Sequence, residues 1–275
     1  MIHETKDTIL EYETKGNGPP VVLIHSTASS LHQWKALIDK LEKSFTLISV
    51  NLYGYGLTSK WSKKKGPQVL LDQVNLFKPL LKRFDEPISF IGHSYGGSVA
   101  MRAALEYQDK IKNLILLEPN PFFLFDREKH PNAYSMSRNL GETLKICHKN
   151  HDWERFAEIF LKFWIGNQAW PSMSEKKQQG FLKLIPNIYH EAEGIFSEKM
   201  CLKDFVSVQK KILLVSAKDT NLVTKEIVKL FIGELPEITN AFLPEGGHMA
   251  PITCPQTVNS IIYKYLMREY FETIK

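Results

Sequence analysis

Gly92-His93-Ser94-Tyr95-Gly96-Gly97 sets a serine between glycines, directly after the apolar run Ile88–Gly92 (ISFIG) and directly before a stretch of helical periodicity. A G-x-S-x-G pattern at a strand-to-helix turn holds a serine hydroxyl at the apex of a sharp, strained reversal. The flanking glycines let neighbouring backbone pass close by. The Tyr95 N–H then lies at a helix N-terminus, where a developing negative oxygen would be stabilised. The chemistry this implies is nucleophilic attack by Ser94, and a serine hydroxyl needs a base to take its proton.

Nine histidines are available as that base. His248 stands out, because Glu245-Gly246-Gly247-His248-Met249-Ala250-Pro251 follows the last strand-like run and can carry an imidazole over a strand edge. His93 adjoins the serine in a sharp turn and points elsewhere. The imidazole in turn needs an orienting carboxylate. Two candidates stand at strand ends: Asp219, after ILLVS and Ala217-Lys218, and Glu118, after LILL. Chain order Ser, acid, His accepts both. Asp219 is preferred, because its loop is short and follows the penultimate strand. Glu118 is the alternative acid, with Pro119, Asn120 and Pro121 behind it reading as a rigid lead into the next segment. A second oxyanion donor is expected from His25-Ser26-Thr27-Ala28-Ser29-Ser30, where the Thr27 amide would lie beside that of Tyr95.

These residues require elements to hold them. Val21–His25, Thr46–Asn51, Ile88–Gly92, Leu114–Leu117, Ile212–Val215 and Asn240–Leu243 are short runs, mostly apolar at successive positions. That is the pattern of parallel strands covered on both faces. Thr8–Thr14 reads as a further strand, able to pair with one at the N-terminus. Helical spacing is predicted over 31–41, 68–84, 99–107 and from about Thr257, with Pro79 expected to kink or split the second helix. Residues 121–205 break the alternation. They hold aromatic-rich helical pieces around Trp153, Phe156, Phe160, Phe163 and Trp164 and no convincing buried strand. We read a core domain of 1–120 and 206–275 with a helical cap or lid at 121–205.

Composition bounds the rest. The chain has 275 residues, 43% apolar and 24% charged, which is the balance of a globular protein able to bury a sizeable core. No apolar run approaches the roughly 20 residues of a membrane span. The N-terminus lacks a signal-peptide pattern, so a cytoplasmic location is expected. Three scattered cysteines imply neither a disulfide framework nor a metal site. Net charge is +5, and the one short basic run, Lys63-Lys64-Lys65, reads as a solvated loop, so no nucleic-acid partner is expected. No metal or organic cofactor is expected, and the oligomeric state is left open.

GHSYGG, HSTASS, the NLYGYGLTS turn at Asn51–Ser59, the AKD turn and GGHMAP together resemble the α/β-hydrolase superfamily in order and spacing, across nearly the whole chain. The resemblance implies an α/β fold: a mostly parallel eight-stranded sheet flanked by helices, with a helical cap inserted after strand six. It implies Ser94 as nucleophile, Asp219 as acid, His248 as base, and Thr27 and Tyr95 as oxyanion donors. Two positions depart from its pattern. Ser26 stands where members usually have glycine, a cost if its φ is positive. Asn51 stands where aspartate is frequent, at a position usually structural. A serine at the elbow argues against haloalkane and epoxide chemistry, which on this fold uses aspartate there. Acyl transfer to water remains, on an ester, thioester or lactone, in the manner of a serine carboxylesterase. An acyltransferase and a non-catalytic ligand-binding protein are the alternatives. Cap aromatics could line an apolar pocket for a small to medium substrate, although aromatics at helical spacing more often pack a cap onto its core. Ser26, Phe123, Trp164 and Met249 are the candidate substrate contacts.

Overall fold

The computed structural model describes residues 1–5 and 7–272; the last three residues of the expected core domain lie outside the described residues, as does the side chain of Lys63. Eight strands form one sheet: β1 (Ile2–Glu4), β2 (Ile9–Lys15), β3 (Pro20–Ile24), β4 (Thr46–Val50), β5 (Ile88–His93), β6 (Ile111–Leu117), β7 (Ile212–Ala217) and β8 (Thr239–Leu243). Their spatial order is β1-β2-β4-β3-β5-β6-β7-β8. β1 and β2 pair antiparallel, as do β2 and β4, and every later pairing is parallel. The consecutive apolar runs therefore mark the strands they predicted, and the N-terminal segment adds the two antiparallel ones.

The helices are α1 (Lys35–Leu41), α2 (Leu70–Leu81), α3 (Tyr95–Glu106), α4 (Pro131–Lys149), α5 (Trp153–Trp164), α6 (Glu175–Leu182), α7 (Ile185–Ser197), α8 (Leu222–Glu234), α9 (Ala250–Thr253) and α10 (Pro255–Met267). α2 runs through Pro79 unsplit, with the proline in its last turn. α3 begins at Tyr95, four residues before the predicted start, because the glycines after Ser94 are already helical.

Two apolar layers cover the sheet. Residues of α1 and α10 pack one face through Leu37, Leu41, Ile262 and Leu266. The other face meets α2, α3 and α8, and its core continues without a break into Phe156, Leu161, Ile185 and Ile188 of the helices between β6 and β7. Burial of roughly 1.5–3 kcal/mol per large apolar side chain holds these layers together. No helix among the described residues is long and apolar enough to cross a membrane.

The chain passes from β3 outward to β4 and then crosses back to β5 on the other side of β3. Such a switch point opens a crevice at the carboxyl ends of the two strands. The loop 25–30 leaves β3 there, and the serine turn leaves β5 beside it.

Candidate active site

Ser94 has φ +54° and ψ −119°, a strained backbone conformation for a residue with a side chain. The close fit around it explains the glycines. A Cβ on Gly92 would collide with the Gly96 carbonyl, and one on Gly96 with the Ile24 carbonyl of β3. Ser94 N–H donates to the Leu117 carbonyl at 3.0 Å, which fixes the turn to the end of β6.

His248 Nε2 lies 2.9 Å from Ser94 Oγ, and both side chains are buried. Burial pushes the imidazole pKa well down, so it rests neutral, the state a base requires. Its loop is held from two sides. His93 Nε2–H donates to the His248 carbonyl at 2.9 Å, and Gln33 Nε2 donates to His93 Nδ1 at 3.1 Å. From outside, Asp219 accepts the Gly246 N–H at 3.1 Å and the Gly247 N–H at 2.9 Å, which keep its carboxyl below the usual range.

The carboxylate at the back of the imidazole is that of Glu118, whose Oε2 lies 3.5 Å from His248 Nδ1. The structure does not bring Asp219 there. Asp219 is exposed and spends both oxygens on the glycine amides of the loop. The reason lies in the end of β6: Glu118 has φ +45°, and this left-handed kink turns its side chain across the end of β7. There it accepts the Ala217 N–H and the Thr220 hydroxyl, each at 2.6 Å. Burial pushes its pKa up to about 7 against these two donors. At 3.5 Å the contact to Nδ1 is at the outer limit of a hydrogen bond, and Nδ1 has no hydrogen-bond partner among the described residues.

In the loop 25–30, His25 Nδ1–H donates to the Ser26 carbonyl at 2.7 Å, and His25 Nε2 accepts the Leu52 N–H at 3.1 Å. Ser26 does not have positive φ; the left-handed residue of this loop is Ala28, at φ +56°. Serine is accommodated at the expected glycine position because its N–H and hydroxyl both donate to Gln33 Oε1, at 3.1 and 3.0 Å. The Thr27 and Tyr95 amides have no protein acceptor among the described residues. Asn51, in place of the family's aspartate, donates from Nδ2 to Glu11 at 2.7 Å and accepts the Leu31 N–H at 2.8 Å. An aspartate could not donate to Glu11.

A cavity of about 180 Å³ lies over the serine, lined by Ser26, Thr27, Ser94, Trp164, His248 and Met249 among others. Trp164, at the end of α5, stacks on His248 with centroids 4.1 Å apart and planes at 26°. Of the expected substrate contacts, Ser26, Trp164 and Met249 line this space. Phe123 does not. It packs half-buried against the core, because the 3-10 turn Phe122–Leu124 sends Phe122 inward instead, parallel to Trp164 at 5.7 Å.

Sequence reasoning missed two groups. Glu191 of α7 is buried and accepts the Thr27 hydroxyl at 2.5 Å. Tyr55 accepts the Ala28 N–H at 3.0 Å and packs edge-on against His25 at 4.8 Å. No local pattern announces either, since Glu191 reaches Thr27 across 164 residues and Tyr55 reaches Ala28 across 27.

Residues 19–255 match the alpha/beta hydrolase fold family. The chain belongs to that family. Among curated relatives it is 30% identical over 139 residues to a cis-3-alkyl-4-alkyloxetan-2-one decarboxylase of Shewanella oneidensis, covering 49% of this chain and 44% of that protein. It is 30% identical over 115 residues to a pimeloyl-[acyl-carrier protein] methyl ester esterase of Nitrosomonas europaea, covering 42% and 43%. The matches thus span less than half the length of these relatives. A crystal structure of an alpha/beta hydrolase enzyme from a Medee basin deep-sea metagenome library superposes with a TM-score of 0.76 at 17% identity, over 97% of both chains, which shows the shared fold.

Proposed function

We propose that this hydrolase-family chain cleaves an ester-type bond through an acyl-enzyme on Ser94, with His248 as base and Glu118 as the carboxylate behind it. The observation that carries the reading is the buried 2.9 Å contact between His248 Nε2 and Ser94 Oγ, with Glu118 Oε2 on the opposite side of the ring. With the Nδ1 proton facing Glu118, Nε2 offers its lone pair to the serine hydroxyl. Ser94 Oγ attacks the acyl carbon as its proton passes to Nε2. The Thr27 and Tyr95 amides are assigned to the oxyanion, where one donor typically contributes about 3–4 kcal/mol. Collapse expels the alcohol, thiol or lactone oxygen with the proton from Nε2. Water, deprotonated by His248, then releases the acid and restores the serine. Glu118 stabilises the imidazolium in both steps.

Asp219, the carboxylate preferred from the sequence, is assigned a second role: it fixes the Gly246-Gly247 approach to His248. Residues 121–205 serve as the cap, and Phe160, Leu161, Trp164, Met173 and Phe181 line the cavity over Ser94 as an apolar wall. That lining supports a small to medium apolar acyl group. The test is hydrolysis of a nitrophenyl ester series of graded acyl length. A length optimum that Ser94→Ala abolishes supports the proposal. Turnover indifferent to acyl length, or surviving Ser94→Ala, overturns it.

A further inference from the structure

Behind the wall formed by Thr27, Phe160 and Trp164 lies a second, smaller cavity of about 30 Å³. It adjoins the serine cavity through those three residues but is lined by neither Ser94 nor His248. Its lining is mostly apolar, with Phe122, Leu140, Ile188 and Ile195 around it, and the polar residues among it are Thr27, Asn120, Tyr95 and Glu191. Glu191 is 3% exposed. The Thr27 hydroxyl bonds its Oε2 and the Tyr55 hydroxyl lies against the same carboxyl, while Oε1 itself has no hydrogen-bond partner among the described residues. A buried acceptor without a donor is costly, and one beside a cavity is completed by whatever polar group enters that cavity.

We propose that Glu191 is a substrate-recognising residue whose Oε1 receives a hydroxyl carried on the acyl portion of the substrate. The inference rests on the serine-hydrolase reading above. The acyl portion is indicated by the geometry of proton delivery. The leaving oxygen takes its proton from His248, so the leaving group lies on the side of His248 and Met249. A wider cavity lined by Asp219, Gly246, Gly247, His248 and Met249 opens on that side. The Glu191 cavity is lined by Thr27 and Tyr95, the residues of the two proposed oxyanion amides, and not by His248 or Met249. Its volume suits a group the size of water.

A hydroxyl is the group that fits either protonation state of the carboxyl. It donates to an ionised Oε1 and accepts from a protonated one. An ammonium would need the first state and a carbonyl the second. Burial raises the Glu191 pKa to about 7, so both states are populated near neutrality. A plain alkyl chain would leave Oε1 unpaired, and sites built to bond a hydroxyl discriminate strongly against analogues that lack it.

The test compares kcat/KM for ethyl esters of plain and hydroxylated acids of equal chain length, with the hydroxyl moved one carbon at a time along the acyl chain. The wild type is expected to favour one hydroxylated position by about tenfold or more. Glu191→Met should bring that ratio to near one, and Glu191→Gln, which still offers hydrogen bonds, should retain a preference. Damage to the Thr27 loop lowers both esters alike and cancels in the ratio. A wild-type ratio near one at every position, or a ratio unchanged in Glu191→Met, overturns the inference. Covalent labelling of Ser94 by a fluorophosphonate, run in parallel, tells this failure from failure of the hydrolase reading, since only the second abolishes labelling.

Discussion

At the scale of single residues, the proposed mechanism divides between two carboxylates at strand ends the work that the sequence reading assigns to one. Both stand before His248 in the chain, so order does not separate them. What separates them is a backbone angle, the φ of +45° at Glu118, which no residue type announces. Glu118→Gln is expected to lower kcat by about 10²–10⁴-fold, the scale on which an orienting carboxylate acts. Asp219→Asn keeps an acceptor for the glycine amides and should cost less than about tenfold. Steady-state turnover of one ester checks the ranking, and the reverse order would return the role to Asp219. The pH profile makes an independent statement. Glu118 must be ionised to support the imidazolium, and its pKa is raised to about 7. So kcat/KM should fall as pH drops below about 7, and Asp219→Asn should keep that limb. A profile flat down to pH 5 would contradict it. The candidates Ser94, His248 and the two amides can be picked out from sequence because each sits on a local signature: glycine spacing, a loop after a strand, a helix start. Glu118 was legible only as an alternative, and Glu191 not at all, because its partner Thr27 is 164 residues away.

At the scale of elements, the parallel strands declare themselves through unbroken apolar runs, because both faces of each are buried. The helices between β6 and β7 are harder to read. Their aromatics serve packing and site at once: Phe156 is fully buried, while Trp164, two turns on, reaches His248. Periodicity finds the helix but not which of its ring-bearing residues faces the serine. On α7, Asn187 donates to the Gly54 carbonyl at 2.7 Å and Glu191 takes Thr27, one turn apart, so this helix grips two core loops. Trp164 closes the serine cavity from α5. Trp164→Ala should remove the stacking on His248, worth about 0.5–1.5 kcal/mol, and enlarge the cavity. Rates on short acyl esters should then fall by about threefold to tenfold, and the preferred acyl chain should lengthen. An unchanged length optimum would mean that Trp164 does not bound the acyl site.

At the scale of the whole molecule, the site stores buried titratable groups that couple stability to pH. His25, His93 and His248 all have pKa values lowered by burial. The unfolded chain therefore binds more protons than the folded one below about pH 6.5, and these groups cost stability as pH falls. Glu118 and Glu191 act in the opposite sense, each raised from 4.5 to about 7. Folded, they hold protons that the unfolded chain has released, so their contribution is lost as pH rises from about 4.5 to 7. Glu191→Gln cannot ionise. Relative to wild type it should gain stability across that window, by up to about 3 kcal/mol. Denaturant melts at pH 5 and pH 8 check this, and a difference that does not grow with pH would refute it.

The measurement that bears most directly on the central claim is labelling by a fluorophosphonate probe, mapped by mass spectrometry. The account predicts stoichiometric modification at Ser94, absent in Ser94→Ala and slowed in Glu118→Gln. An unlabelled wild type, or equal labelling of Ser94→Ala, would contradict it.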